Sequence, residues 1–276
     1  MQKTIVTHYS PDFDGIPAIW ILKKFHPDFE DAKVIFLPAG QTLDDKPAGF
    51  DPDVIHVDTG GGPFDHHETN EYTCAAKLVW EWLKKERGIT DEVIERLMPT
   101  ITVYDHGKEV EWRDALDDKY ELMLPALIDG WKVLYPGQYE KVLEFGMKCM
   151  DAAYGIMKSK IEAEKILAKG KVFDTKWGKG IGVETENEAV LQLGEKMGYS
   201  LVVKKDSKRQ SVRIYGRSDR GVDLSQACEK IKKLDPDARW FLHASGCLLL
   251  NGSAKQPRMN PTKLSLEKVI EVLKGV

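Results

Sequence analysis

Between positions 8 and 105, seven side chains are of the types from which a two-metal phosphate-cleaving site is built: His8, Asp12, Asp14, Asp58, His66, His67 and Asp105. Most of them lie at or just beyond the end of an apolar, strand-like run. That pattern points to a hydrolase.

The elements that would position them are legible nearby. Lys3-Thr4-Ile5-Val6-Thr7-His8 is a β-branched run that reads as a central strand, and Tyr9 to Gly15 reads as a loop. Gly15 then opens a helix whose apolar positions Ile16, Ile19, Trp20, Leu22 and Phe25 fit a helical period. A loop between strand end and helix start is where open α/β sheets bind ligands. Asp12 and Asp14, one residue apart, can reach into one pocket and hold neighbouring divalent ions, with His8 approaching from the strand. A lone pair of this kind is equally a solvated turn capping the next helix.

A second segment shifts the balance. Val54-Ile55-His56-Val57 is another apolar strand, Asp58 closes it, Gly60-Gly61-Gly62 allows a sharp turn, and Asp65-His66-His67 follows. Imidazole and carboxylate together suit Mn²⁺, Zn²⁺ or Fe²⁺ better than Ca²⁺. Five of the seven histidines (His8, His66, His67, His106, His243) fall inside candidate motifs, a clustering that surface loops do not readily produce. Asp105 follows Thr100-Ile101-Thr102-Val103-Tyr104 and precedes His106-Gly107; alone it would read as a helix-end or turn residue.

The order HYSPDFDG, then VD with GGG, then FDHH, then YDHG resembles the DHH phosphoesterase superfamily. That superfamily includes RecJ-type exonucleases, nanoRNases, cyclic-dinucleotide phosphodiesterases and manganese-dependent inorganic pyrophosphatases. The resemblance implies a dinuclear centre, usually Mn²⁺, with Mg²⁺ or Co²⁺ as further candidates. It implies one ion on His8, Asp12 and Asp58 and the other on Asp14, Asp58, His66 and Asp105, with Asp58 bridging. His67 would face the substrate phosphate, making Asp58 and His67 the catalytic pair. Asp65 would support the loop, or approach a metal if the loop folded back. Only six residues separate Asp58 from Asp65, where the commoner pattern has a strand and a helix. This compression, the DHG fourth motif and the C-terminal FLHASG look more like the branch named for the melanocyte proliferating gene product, which is associated with 3′-to-5′ RNA exonuclease activity. The first motif follows the general DHH pattern instead.

Downstream, Gln210 to Tyr215 alternates like a half-buried strand, Gly216 to Gly221 is a turn with two guanidinium groups, and Val222 to Leu234 has helical periodicity. Arg239 to Leu242 then leads to His243-Ala244-Ser245-Gly246. An RS turn, a helix and an HxxG loop look like the DHH-associated substrate-binding domain, which implies substrate contacts from Arg217, Ser218, His243, Ser245 and Gly246. Arg217 can fork two hydrogen bonds onto a phosphate, and small residues beside His243 let backbone N–H groups approach an anion. Their plainer alternatives are a solvated turn and a core histidine at a strand end.

The 276 residues have room for two domains at roughly 100–200 residues each. The expected class is α/β. A doubly wound, mainly parallel N-terminal domain would cover 1–135, a helical connector 136–170, and a smaller C-terminal α/β domain 171–276. Gln138 to Lys169 reads as one long helix or a kinked pair, with Gly146 and Gly155 as weak breakers and Gly170 as the stop. It is either a hinge or a set of core helices. A net charge of −4 argues against holding long nucleic acid by electrostatics, and favours a short oligonucleotide or small phosphoester. The run Lys204 to Arg209 could guide a strand toward the cleft, but reads better as a hairpin turn whose charge keeps it solvated. Four dispersed cysteines without a CxxC pair suggest reduced, mostly buried thiols. With no apolar signal region and no run near ~20 apolar residues, a cytoplasmic protein without membrane contact is expected. A homodimer is compatible with the sequence. Three activities compete: oligonucleotide trimming, hydrolysis of pyrophosphate, cyclic dinucleotides or 3′-phosphorylated nucleotides, and nucleotide binding without catalysis.

Overall fold

The amino-terminal β-branched run forms β1 (Thr4–His8), with parallel neighbours on both sides and Ile5 and Val6 fully inaccessible. The computed structural model describes residues 2–252, 256 and 259–276. From β1 the chain enters α1 (Gly15–Phe25) and returns as β2 (Lys33–Leu37) along one edge of β1; β3 (Val54–His56) pairs along the other. The order β2-β1-β3 means that the chain leaves β1 for a neighbour on one side and later returns on the other, so the carboxyl ends of β1 and β3 flank a switch point of the kind where an open α/β sheet leaves a crevice. Every residue of α1 from Gly15 to Leu22 is buried, so the exit of the β1–α1 loop is fixed by packing on all sides.

Two further helices approach the crevice. α2 (Ala75–Arg87) is amphipathic, burying Ala75, Ala76, Val79, Trp80 and Leu83, and Gly88 ends it at φ +65°. α3 (Glu92–Asp105) begins at Asp91, whose Oδ1 accepts from the amides of Val93 (2.8 Å) and Ile94 (3.2 Å), while Oδ2 accepts from the Tyr154 hydroxyl (2.7 Å). Its final residue is Asp105, so the fourth acidic motif sits on a helix end. Two 3₁₀ turns, Lys108–Glu111 and Asp118–Leu122, lead to α4 (Leu124–Leu134).

α5 (Tyr139–Leu167) is a single helix of 29 residues, continuous through Gly146 and Gly155. The chain divides into two compact units, Met1–Gly155 and Ile156–Val276, and the division falls inside this helix. Val142, Leu143 and Met150 belong to the core of the first unit, where Asp151 accepts from the Trp20 indole N–H at 3.0 Å. Ala163 and Leu167 belong to a core of the second.

The second unit is built on a six-stranded mixed sheet. Its elements are β4 (Lys171–Thr175), β5 (Gly178–Glu184), α6 (Ala189–Lys196), β6 (Leu201–Asp206), β7 (Ser211–Gly216), α7 (Ser225–Leu234), β8 (Phe241–Leu242), β9 (Leu248–Asn251) and α8 (Leu266–Lys274). The strand order is β4-β5-β6-β7-β9-β8, with β5 and β6 parallel and the other pairs antiparallel. Alternate residues of β6 serve opposite faces: Val202 joins Leu167 and Leu191, whereas Leu201 and Val203 join Ile231 and Leu273.

The basic run at the end of β6 departs from the expected solvated turn. Lys204, Lys205 and Asp206 are strand residues only 1%, 7% and 1% exposed. Buried ammonium groups persist only with partners. Lys204 Nζ reaches the Glu188 carboxylate and the Glu186 carbonyl, and Lys205 Nζ donates to the Thr262 carbonyl at 3.2 Å. The turn itself is confined to residues 207–210. The cysteines are free, three of them buried. Among the described residues no helix is long and apolar enough to cross a membrane.

Because Asp91 both caps α3 and anchors Tyr154, Asp91→Ala should lower the stability of the chain by about 1–2 kcal/mol. The check is the urea midpoint at unchanged m-value; an unshifted midpoint would contradict the capping role.

Candidate metal centre

The β1 end, the β1–α1 loop, the segment after β3 and the last residue of α3 deliver their side chains to one place. His8 leaves the end of β1 with Nδ1–H donating to the Tyr9 carbonyl at 2.7 Å, which turns Nε2 toward Asp58 Oδ2 at 2.9 Å. Asp12 Oδ1 accepts from the amides of Asp14 (2.9 Å) and Gly15 (3.1 Å), closing the turn and fixing the carboxylate. Asp14, 1% exposed, accepts from Ala75 N–H at 2.6 Å through Oδ2 and from Ala76 N–H at 2.8 Å through Oδ1. It therefore caps α2 from far upstream in the sequence, at the helix end that favours negative charge.

Asp58 is the centre of the arrangement. It is 2% exposed and has φ +56°, a left-handed conformation that Asp and Asn tolerate better than other side-chain-bearing residues. Its N–H donates to the Phe64 carbonyl at 2.8 Å and so closes the compressed loop between the second and third motifs. Gly60, at φ +82°, lets that loop pass Thr42, whose methyl would lie 2.8 Å from an added Cβ. At Gly15 an added Cβ would sit 3.2 Å from Asp58 Oδ2, so the glycine keeps space open beside the carboxylate.

The histidine pair divides its work. His66 points Nε2 at Asp14 Oδ2 (3.4 Å), Asp105 Oδ1 (3.4 Å) and Asp58 Oδ1 (3.6 Å). His67 is 61% exposed, and its Nδ1–H donates to Asp65 Oδ1 at 2.7 Å. Asp65 also accepts from the amides of Gly61 (2.8 Å) and His67 (3.1 Å), so it braces the loop and aims the His67 ring. His106 donates Nε2–H to the Thr73 carbonyl at 2.8 Å, joining the end of α3 to the approach of α2.

Among the described residues, three groups result whose donor atoms lie within 4.8 Å of one another: His8, Asp12 and Asp58; Asp14, His66 and Asp105; and Asp58, His66 and His67. Asp65 is in none of them. Four carboxylates in so small a volume need positive charge, and in the metal-free chain protons supply it. Burial alone would lower the His8 pKa, but the bonds to Asp58 and the Tyr9 carbonyl outweigh it and push it up to about 9. The Asp105 and Asp58 carboxylates push His66 up to about 10. Burial, with the charges of Asp58 and Asp105, raises Asp14 well above the carboxylate range. Asp58 stays below that range because His66 and His8 outweigh its burial. Neighbouring Cys74 remains a neutral thiol, its pKa raised by burial and by Asp14.

The donor set fits divalent cations. Among the described residues, the buried His66 Nε2 and Asp105 Oδ2 have no hydrogen-bond partner, and Nε2 faces Asp14 Oδ2, Asp105 Oδ1 and Asp58 Oδ1. Imidazole nitrogens mixed with carboxylate oxygens suit Mn²⁺, Zn²⁺ or Fe²⁺.

The remaining candidate residues belong to the second unit. Arg217 follows β7 and grips Asp219 with Nε and Nη2 at 2.9 and 2.6 Å, while Nη1 donates to the Glu195 carbonyl at 3.1 Å. Its fork is thus already engaged. Ser218 is exposed in the following 3₁₀ turn. His243 is exposed, with Nδ1 bound to Ser245 Oγ (2.9 Å) and Ser245 N–H (3.1 Å), and Gly246 at φ +72° donates to the His243 carbonyl.

The sequence reading did not anticipate a cavity beside the cluster. It has a volume of about 550 Å³ and is lined by Asp12, Asp14 and Asp105 together with Phe13, Tyr104, Trp112 and Tyr120. The signal available for it was the density of aromatic and acidic residues between Tyr104 and Glu121.

No family model and no curated protein matches this chain. Among solved structures it is similar to a DHH-domain member of the s1p family of ribosomal proteins, at 13% identity and a TM-score of 0.34, over 98% of this chain and 85% of that one. It is also similar to RecJ from Thermus thermophilus in complex with Mg²⁺, at 14% identity and a TM-score of 0.29, over 99% of this chain and 49% of that one. A manganese-bound exonuclease RecJ gives 13% identity and a TM-score of 0.28, over 99% of this chain and 89% of that one.

Cation uptake near neutral pH must expel protons from imidazoles held at about 9 and about 10. Since the deprotonated forms are the ligands, Mn²⁺ affinity should rise with pH up to that range. Calorimetry in buffers of different ionisation enthalpy should show net proton release at pH 7; uptake or no exchange would contradict the site.

Proposed function

We propose that this protein is a DHH-type, divalent-metal-dependent phosphoesterase that trims short RNA or DNA oligonucleotides from the 3′ end, with Mn²⁺ as the working ion. The observation that carries the reading is the set of three overlapping ligand groups sharing Asp58 and His66 at the carboxyl ends of β1 and β3. Residues His8, Asp12 and Asp58 would hold one ion and Asp14, Asp58, His66 and Asp105 the other. Bound there, divalent cations would supply Lewis acidity and lower the pKa of a water that serves as the nucleophile toward phosphorus.

The protein's own groups supply placement. Asp58 is locked by its left-handed backbone and buried surroundings, so its two oxygens keep separate directions, Oδ2 toward His8 and Oδ1 toward His66. His67 stands at the solvent side of the cluster with its ring set by Asp65, able to donate to a phosphoryl oxygen or return a proton to the leaving oxygen. The net charge of −4 favours short substrates gripped at the phosphate over long strands held by a basic surface.

The direct test is hydrolysis of 5′-labelled RNA oligomers of two to about ten nucleotides, lengths chosen for a chain without a strongly basic surface. A ladder shortening from the 3′ end with Mn²⁺ and abolished by EDTA is expected; absence of cleavage with every divalent metal would refute the proposal. Asp58→Asn preserves a residue type that tolerates φ +56°. It should leave the secondary structure intact by circular dichroism while cutting turnover by more than the roughly 10–100-fold typical of outer-shell losses. Near-normal hydrolysis by that variant would remove Asp58 from the mechanism.

A further inference from the structure

The cavity beside the cluster shares a wall with it. Phe13 lies between Asp12 and Asp14, and Tyr104 immediately precedes Asp105, so the side chains that would hold metal alternate in sequence with aromatic ones. The aromatic rings continue outward as a contiguous series. Phe13 and Tyr104 meet at 5.8 Å edge to face, Tyr104 and Trp112 at 5.6 Å edge to face, and Trp112 and Tyr120 at 5.1 Å. Leu116, fully exposed, stands with them in the lining. The volume of about 550 Å³ is that of a small-ligand pocket.

Charge decides which part of a nucleotide belongs in this space. The cavity also carries Glu109, Glu121 and Asp129, and among the described residues no Lys, Arg or His lines it. A phosphate would be repelled there, whereas an aromatic base bearing N–H donors would be accepted. Glu109 is the pointed observation, because among the described residues its buried Oε2 has no hydrogen-bond partner, and such an atom loses its water without compensation until a donor arrives.

We propose that this cavity is a base-recognition subsite for guanine, stacking the base on the Trp112 region and reading its edge with Glu109 while the attached phosphate sits at the metal cluster. Among the common bases only guanine presents two adjacent donors, N1–H and N2–H, to the two oxygens of one carboxylate. Adenine and cytosine set an acceptor nitrogen beside their amino group, and uracil flanks its single N–H with carbonyls. The inference rests on the phosphoesterase reading for the placement of the phosphate, but the base pocket is testable without turnover.

The test is calorimetric binding of guanosine 5′-monophosphate, inosine 5′-monophosphate, ribose 5-phosphate and phosphocholine to the full chain with Mn²⁺. Stacking and edge recognition together predict that the guanosine nucleotide binds at least about tenfold more tightly than ribose 5-phosphate, with the inosine nucleotide between them. Trp112→Ala should bring that ratio near one. Glu109→Gln should bring the guanosine nucleotide to the level of the inosine one. Trp112 and Glu109 lie in a largely exposed segment, and an unchanged thermal midpoint would confirm that both variants fold. Equal binding of guanosine 5′-monophosphate and ribose 5-phosphate, tightest binding of phosphocholine, or a base preference that survives Trp112→Ala would each overturn the proposal. Base-dependent binding without hydrolysis of any oligomer would leave the subsite standing and remove the phosphoesterase reading instead.

Discussion

Everything in the first unit answers to one electrostatic constraint: four carboxylates held around two imidazoles at the end of a buried sheet. Like charges at this spacing in a low-dielectric setting cannot all remain ionised without compensation. In the metal-free chain His8 and His66 carry the compensating protons and Asp14 is driven toward its neutral form. The scaffold makes the crowding tolerable by supplying fixed positive ends. Two amides of α2 receive Asp14, two amides of the β1–α1 turn receive Asp12, and the N–H groups of the glycine loop receive Asp65. Divalent cations would take over the role the protons fill.

The same constraint explains the backbone. A residue forced to φ +56° in a buried position is strained, and strain of this kind persists where the surrounding structure over-determines it. Asp58 is over-determined by the Phe64 carbonyl, by His8 and His66, and by the glycine at position 15 that leaves it room. The packing of α1, buried along its length up to Leu22, holds that glycine in register with the sheet.

Much of this was legible in the amino-acid sequence, because the cues were local. β-branched runs marked β1 and β3, helical periodicity marked α1, and ligand-type residues fell just beyond strand ends. The central, parallel position of β1 followed from its apolar run on both faces. What local cues could not convey was partnership at a distance. That Asp14 caps a helix far downstream, that Asp105 reaches the cluster from a helix terminus, and that Lys204 and Lys205 are buried against Glu188 and Thr262 depend on which elements meet in space. The Lys204 to Arg209 run looked solvated because charge is normally a surface signal; here paired acceptors overrode it. The cavity went unread because its aromatic residues follow no single period and come from separate places: Phe13 from the β1–α1 loop, Tyr104 from α3, Trp112 from just after the first 3₁₀ turn and Tyr120 from the second.

The uninterrupted helix α5 has a thermodynamic meaning. Its first half supplies Val142, Leu143 and Met150 to one core, its second half Ala163 and Leu167 to another, and a helix propagates far more readily than it nucleates. Each of these cores is complete within its own unit: the one that takes Val142, Leu143 and Met150 lies in Met1–Gly155, and the one that takes Ala163 and Leu167 lies in Ile156–Val276. The half of α5 released when one unit unfolds therefore keeps a helical template in the half still packed, so that re-forming it needs propagation and no new nucleus.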